Sequence, residues 1–426
     1  MPQNKVHKGK APQNKANKSK AHKSKARRRK EGESAMILQS KRVWIINDWL
    51  QAQVEISAQS GRIEGIYPYG TKRVDLDFGN MRIVPGFIDV HTHGAYGFDT
   101  NDGDEEGLRR WLLNVVGEGV TGILPTTVTQ SEAVLTKALR NAAGVARMQR
   151  TNPGSVPGAE ILGVHFEGPY LDSARKGAQA GEYCAAPDLE QFRQYFDASD
   201  CLIRIVTLAC ERDEGYRLTR YLNENGIVPS LGHSSASCEQ AVMAFANGAR
   251  SVTHVYNGMA PFHHRDPGIV GASLRFHDVY GEIICDGLHS DWTAVHAFFA
   301  CKGEDHGVMV SDSVRVKGLP VGTQAQFGGN RIELCEDGSA HMVDSGKLAG
   351  STLKINEGLR NLVEKAGVPW QAAINSCTIN PARLIGMEER KGSIRTGKDA
   401  DLVVLRNDYS VAAAFVRGRQ CWGEQA

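Results

Sequence analysis

Eight residues of a kind that binds metals or moves protons each follow a short apolar run. His91 and His93 close residues 83–90, and Glu167 closes 161–166. His233 comes after 227–231, His254 after 251–253, Asp286 and His289 after 281–285, and Asp312 after 308–310. Histidine and carboxylate without cysteine form a nitrogen–oxygen donor set suited to Zn²⁺, Fe²⁺, Mn²⁺ or Co²⁺. His91 and His93 are two apart, so on a strand both face the same way and two imidazoles reach one ion. Glu167, His233 and His254 form a second set on neighbouring runs. Such a cluster lowers the pKa of a bound water towards ~7 and supplies hydroxide at neutral pH. Asp312, in the sequence Val310-Ser311-Asp312-Ser313, can accept the proton of that water and return it to a leaving group. His289 is placed to polarise a carbonyl as an oxyanion donor would. The chemistry implied is hydrolysis of an amide or ester carbonyl. These motifs contain no G-x-S-x-G nucleophile elbow, and the nine cysteines lie outside them.

The residues act together only if the fold gathers the ends of those runs. Eight candidate strands (83–90, 122–127, 161–166, 202–208, 227–231, 251–253, 281–285 and 308–310) alternate with helical patterns over 106–116, 133–147, 216–225, 238–246 and 291–301. Alternation of this kind predicts βαβ units around a parallel sheet. Eight strands suggest a closed (β/α)8 TIM-type barrel, with an open doubly wound sheet as the alternative. The first strand–helix turn lacks G-x-G-x-x-G, which removes the usual dinucleotide reading. In a barrel, all the strand ends listed above share one face, where barrel active sites are built.

Short β-rich pieces flank this body: 41–46, 54–56, 62–66 and 73–77 before it, and 392–394, 400–405 and 413–416 after it. Neither group is long enough to be a stable sheet alone. The termini are therefore expected to pair into one small β-sandwich domain. The resulting division is a disordered basic tail at 1–35, β domain at 36–84, barrel at 85–389 and the second part of the β domain at 390–426.

Composition sets the class. Of 426 residues, 41% are hydrophobic and 23% charged, which excludes collagen-like, coiled-coil and wholly disordered readings. The best apolar run, Val411–Val416, is far short of the ~20 residues a transmembrane helix needs. Of the 50 basic residues, 12 lie in residues 1–30, which contain no acid; the remainder sets 38 against 48 acidic residues, a net −10. A basic arm could touch nucleic acid or anionic lipid, but this one has no interleaved aromatic residue and is read as a solvated tail. The basic start is followed by no apolar segment, so it is not a secretory signal. An odd cysteine count with no CxxC pair reads as reduced thiols in a cytoplasm.

The segment Pro85-Gly86-Phe87-Ile88-Asp89-Val90-His91-Thr92-His93-Gly94 resembles the opening strand of the amidohydrolase superfamily. Gly163-Val164-His165-Phe166-Glu167-Gly168-Pro169-Tyr170 narrows the likeness. So do Gly232-His233-Ser234, Thr253-His254-Val255-Tyr256-Asn257-Gly258-Met259, Asp286-Gly287-Leu288-His289 and Leu348-Ala349-Gly350-Ser351. Together, from Met36 to the C-terminus, they resemble the N-acetylglucosamine-6-phosphate deacetylase family. Hydantoinase-like and dihydroorotase-like relatives usually carry a bridging carbamylated lysine at the third strand, where this chain has Glu167.

The resemblance implies a role for each matching position. Glu167, His233 and His254 match the principal metal ligands and Asp312 the catalytic acid/base, while His289 matches the histidine on the acetyl carbonyl. Asn257 and Gly258 match contacts to the sugar phosphate, and Ala178 a substrate contact. Leu348, Ala349 and Gly350 line the far side of the pocket. Arg265 matches a phosphate-binding arginine that reaches across a dimer interface, and a guanidinium suits a phosphate by its bidentate geometry. The implied protein is a cytoplasmic homodimer that deacetylates an amino-sugar phosphate, with no membrane or nucleic-acid partner. The implied cofactor is one divalent ion. Many members replace the first histidine pair by Gln and Asn; His91 and His93 here admit a second ion. Many members also carry histidine where this chain has Gln179. The N-acetylgalactosamine 6-phosphate epimer and a catalytically silent sugar-phosphate-binding regulator are the alternatives.

Overall fold

The computed structural model describes residues 35–423. The basic tail expected over 1–35 lies, except for Ala35, outside the described residues.

Two sheets organise the chain. Strands Met36–Ile45, Asp48–Ile56 and Ile63–Pro68 run as an antiparallel meander. Arg82–Pro85 lies parallel to the first of them and antiparallel to Leu402–Leu405. Val411–Val416 and Arg419–Trp422 continue this eight-stranded sheet on the far side. Segments from both ends of the chain thus share one set of hydrogen bonds. They also share an apolar cluster of their own, with Val43, Val54, Ile83, Leu402 and Phe415 fully buried.

The second sheet is parallel and curled. Phe87–Thr92 pairs with Val120–Pro125, and that strand with Glu160–Ile161. A six-stranded run follows: Val164–Glu167, Ile203–Leu208, Val228–Leu231, Ser251–Val252, Tyr280–Ile284 and Gly307–Val310. Thr126 bridges in parallel to His165, joining the two runs. At the other edge, Asp312 N donates to His91 O at 2.9 Å and His93 N to Ser313 O at 2.9 Å. Below them, Ser311 Oγ donates to buried Asp89 at 2.6 Å. The strands read as near-continuous apolar runs because helices cover the outer face. Those helices begin where the sequence offers an oxygen to free backbone N–H groups. Asp104 caps Glu105–Asn114, Asp188 caps Leu189–Ala198 and Asp291 caps Trp292–Lys302; Ser237 and Gln240 form a capping box on Cys238–Ala246.

Besides the strand expected over 161–166, which is two strands, Glu160–Ile161 and Val164–Glu167, with different neighbours, two features differ from the sequence expectation. The strand expected over 83–90 is two strands, one in each sheet. The break is Gly86, whose N–H donates to Asp401 O at 2.8 Å. A Cβ there would sit 2.1 Å from Thr121 Oγ1, so no larger residue lets the chain cross between the sheets at this point. The second is an antiparallel insert after the last parallel strand: Gln324–Phe327, Asn330–Leu334 and Ala340–Met342. Its first turn is Gly328-Gly329, both at positive φ, the backbone a two-residue hairpin requires.

A buried ion cluster fastens the C-terminal segment to the parallel sheet. Lys391 Nζ lies 2.5 Å from Asp401, 2.6 Å from Glu160 and 2.9 Å from Asp399. Arg390 also reaches Glu160, at 2.7 Å. Burial alone would raise the Glu160 carboxyl, but Lys391 and Arg390 bring it down to about 2. Its folded value lies below its ordinary one, so its contribution to stability is present above pH 4.5 and lost as pH falls towards 2. Lys391→Met strands buried carboxylates and is expected to cost roughly 3–5 kcal/mol at pH 8. The deficit narrows below pH 5, where the carboxyls take up protons instead. Thermal melts at the two pH values check this; a wild-type melting temperature at pH 8 contradicts it.

Candidate active site

The expected ligand residues sit at the ends of the parallel strands. His91 lies in the first strand with His93 just beyond it, and Glu167 ends the strand Val164–Glu167. His233, His254 and Asp312 each lie two residues past theirs. Those last three adopt positive φ of 47°, 27° and 49°. A non-glycine residue in this region costs about 1–3 kcal/mol and persists only where its surroundings hold it. Here the neighbours do so through the main chain: Asp172 N donates to His233 O, Asn257 N to His254 O, and Ser351 N to Asp312 O.

The imidazoles are anchored from behind. His93 Nδ1 lies 3.3 Å from Thr126 O, His233 Nδ1 2.9 Å from Arg175 O, and His91 Nδ1 2.8 Å from Glu282. Carbonyls and carboxylates only accept, so each Nδ1 carries a hydrogen, and in the neutral ring each Nε2 presents its lone pair inward. Those lone pairs converge. His233 Nε2 and His254 Nε2 are 3.1 Å apart, and each lies 3.3 Å from Glu167 Oε1. A second convergence adjoins it, where His93 Nε2 lies 3.2 Å from both Asp312 Oδ1 and Glu167 Oε2. His91 Nε2 is 3.5 Å from Asp312 Oδ1 and 3.4 Å from Glu167 Oε1.

These groups fit divalent ions. Glu167 Oε1 and His91 Nε2 are fully buried with no hydrogen-bond partner among the described residues. The donor atoms of Glu167, His233 and His254 lie within 4.8 Å of one another, as do those of His91, His93 and Asp312. Burial alone would raise both carboxyls. Instead His91 and His233 hold Glu167 well below its ordinary value, and His91 and His93 bring Asp312 to about 2. A third grouping, His91, His165 and Glu282, does not fit an ion in the same way. His165 Nδ1 donates to Val90 O at 3.0 Å, so its Nε2 accepts from Thr207 Oγ1 at 2.7 Å and neither nitrogen is free. Burial, and then His91, lowers its pKa to about 4 and keeps the ring neutral.

A cavity of about 150 Å³ opens over the two convergences. Ala178, Asn257, Gly258, His289, Leu348 and Gly350 are among its lining residues. His289 Nδ1 donates to Asp286 at 2.7 Å, leaving Nε2 for other partners. Burial would lower its pKa, but Asp286 outweighs that and raises it. Two expected contacts are elsewhere. Ala349 is buried behind the lining in an apolar cluster with Val314 and Phe327. Arg265 is exposed on its loop, with its guanidinium 2.9 Å from His264 Nε2, and does not line this cavity.

Three other residues belong to the arrangement. Gln179 Nε2 donates to Glu167 Oε2 at 2.6 Å, while its Oε1 accepts from Thr129 N at 2.6 Å, so the backbone fixes which way the amide points. Phe327, from the antiparallel insert, lines the cavity with its ring 5.1 Å from that of His93. Glu282 is fully buried within the strand Tyr280–Ile284. Its sequence signal is a charged residue inside the apolar run Gly281-Glu282-Ile283-Ile284-Cys285, a place where glutamate is found almost only when paired.

The amidohydrolase family profile matches residues 82–421. N-acetylglucosamine-6-phosphate deacetylase of Bacillus subtilis is 39% identical over 336 residues, covering 79% of this chain and 83% of its own. N-acetylgalactosamine-6-phosphate deacetylase of Escherichia coli O157:H7 is 32% identical, covering 90% and 98%. Among solved structures, N-acetyl-D-glucosamine-6-phosphate deacetylase from Mycobacterium smegmatis superposes with a TM-score of 0.83 at 28% identity, covering 90% of this chain and 99% of that one.

Gly258 tests whether the geometry is as tight as it looks. It has φ of 63°, and a Cβ there would meet His233 Nδ1 at 2.9 Å and His254 Cε1 at 3.2 Å. Backbone strain alone costs about 1–3 kcal/mol. Gly258→Ala must also displace a converging histidine, and is expected to lower kcat/KM at least about tenfold on a chain that still folds. Steady-state kinetics with a circular dichroism control measures this; wild-type kcat/KM contradicts it.

Proposed function

The chain belongs to the amidohydrolase family and, within it, to the N-acetylglucosamine-6-phosphate deacetylases, and from that premise we propose how it hydrolyses the acetamide of N-acetyl-D-glucosamine 6-phosphate to glucosamine 6-phosphate and acetate, a step of amino-sugar catabolism. The observation that carries the mechanism is the convergence of His233 Nε2, His254 Nε2 and Glu167 Oε1 beneath a cavity edged by Asp312 and His289. In this reading Glu167, His233 and His254 hold one divalent ion, and His91, His93 and Asp312 face a second. The all-nitrogen-and-oxygen donor set suits Zn²⁺, Fe²⁺, Mn²⁺ or Co²⁺. Such an ion supplies Lewis-acid polarisation and brings the pKa of a bound water towards ~7.

The chain's own groups do the rest. Asp286 holds His289 through Nδ1 and favours its protonated form, so that Nε2 donates to the acetyl oxygen as negative charge develops there. Asp312, ionised, takes the proton of the attacking water and delivers it to the departing nitrogen. That delivery is needed because an unprotonated amide nitrogen is a very poor leaving group. Ala178, Asn257, Gly258, Leu348 and Gly350 line the sugar pocket, with Ala349 packed behind them. Arg265 is assigned to the phosphate. Its exposed position away from its own cavity supports its serving the site of a second copy in a homodimer. The fold is read as a closed (β/α)8 barrel, supported by the hydrogen bonds at both joins of the curled sheet. Beside it stands a small β-sandwich domain from both terminal segments, supported by their separate core. No helix among the described residues is long and apolar enough to cross a membrane; the cytoplasm is the proposed location.

Acetate release from the gluco and galacto substrates, by the wild type and by Asp312→Asn, tests the reading. The wild type should prefer N-acetylglucosamine 6-phosphate. Asp312→Asn keeps the size and one oxygen but cannot carry the proton, and should retain the Glu167-bound metal while losing at least about 10²-fold in kcat. A galacto preference would favour the epimer, and no acetate from either would favour a silent binding protein. Loss of all metal in Asp312→Asn would make ligation its main task.

A further inference from the structure

We infer that Glu282 is a positioning residue that makes His91 a metal ligand and so sets the affinity of the second ion; this rests on the two-ion reading above. Glu282 is 0% exposed and lies on the buried strand Tyr280–Ile284. Leaving a carboxylate in such a place is costly unless it is paired and hydrogen-bonded. Its partners come from the elements packed around it. His91 Nδ1 donates to Oε2 at 2.8 Å, and the His254 backbone N–H approaches the same oxygen at 3.4 Å. Oε1 has no hydrogen-bond partner among the described residues. Of the ionisable rings around His91, His165 lies edge-on at 4.4 Å with its nitrogens committed to Val90 O and Thr207, and His93 and His254 lie at 5.3 and 5.5 Å.

A neutral side chain would fill the strand at less cost, so the role lies in what the charge does to His91. Because Oε2 accepts from Nδ1, the ring is held in one orientation, with Nε2 aimed between Glu167 Oε1 and Asp312 Oδ1. A carboxylate behind a ligating imidazole fixes the tautomer and raises the basicity of the far nitrogen; removing such a partner typically weakens metal binding by 10–100-fold. His93 has only a carbonyl behind it, at 3.3 Å. His91 is therefore the better-supported donor of the pair. Glu282 meets the first convergence only through the long 3.4 Å approach of the His254 N–H and holds no side chain there, so the larger effect should fall on the second ion.

The test is metal titration of the stripped full chain, with Zn²⁺ or Co²⁺ in competition with a chelator of known affinity, for the wild type, Glu282→Gln and Glu282→Leu. The wild type should bind two ions. Both variants should hold the first ion within a few-fold of wild type and weaken the second by about 10–100-fold, Leu more than Gln. In Co²⁺ protein the visible absorption of the second equivalent should be lost or shifted. Two ions at wild-type affinity in Glu282→Gln, or equal weakening of both, overturns the inference and leaves the two-ion reading standing. A single ion in the wild type overturns both. If Glu282→Leu fails to fold, the near-isosteric Glu282→Gln decides.

Discussion

Lone pairs do not rest within 3.3 Å of one another in a dry interior unless positive charge lies among them. Glu167 Oε1, His233 Nε2 and His254 Nε2 do so here, and Arg175 O fixes the His233 tautomer that makes the contact lone pair to lone pair. In the low dielectric of a buried site such repulsion is felt strongly. Burial would raise the Glu167 pKa, but positive charge on His91 and His233 outweighs it and holds the carboxyl well below its ordinary value, which shows how strongly this oxygen cluster favours a cation. Much of the neighbouring structure follows from keeping these three atoms together. Gln179 holds the other oxygen of Glu167, Gly258 leaves room for both rings, and left-handed backbone at His233, His254 and Asp312 turns the chain at the strand ends.

The fold supplies the stiffness this requires. Converging ligands from different strands stay in place only if the strands cannot slide. The first and last parallel strands are pinned by Asp312 N to His91 O and by Ser311 to Asp89, close to the ligands themselves. Further out, Gly86 passes the chain from the terminal sheet straight into the strand that ends in His91 and His93. The Lys391 cluster ties the returning C-terminal segment to Glu160, just before the strand that ends in Glu167. The terminal sheet is thus connected, through short covalent and ionic links, to two of the strands whose ends converge at the site.

Much of this was legible in the sequence because it rests on residue type and strand position. Histidine and carboxylate after apolar runs mark strand ends, and alternation with helical patterns gives the parallel sheet. The partners behind the ligands were less legible. Glu282 sits mid-strand, where period alone suggests a buried apolar residue, and only its charge marks it out. Gln179 was visible as a departure from its relatives, but its bonds to Glu167 and Thr129 depend on a loop path that spacing does not give. The insert carrying Phe327 was signalled by Gly328-Gly329 between β-rich runs, a cue easily lost after eight strands already accounted for. Arg265 fits a phosphate by chemistry, yet its exposed loop shows that chemical fitness does not place a side chain in its own chain's cavity.

On the proposed reading, the Glu167, His233 and His254 convergence holds a cation. The most direct measurement is the metal content per chain of purified wild type and Glu167→Ala, with a fold control by circular dichroism. Glu167 Oε1 is the atom shared by both histidine contacts, and a ligand's loss removes affinity out of proportion to its size. The account predicts at least one tightly held divalent ion in the wild type and loss of that ion from a folded Glu167→Ala chain. A folded Glu167→Ala protein that keeps the wild-type metal content would contradict it.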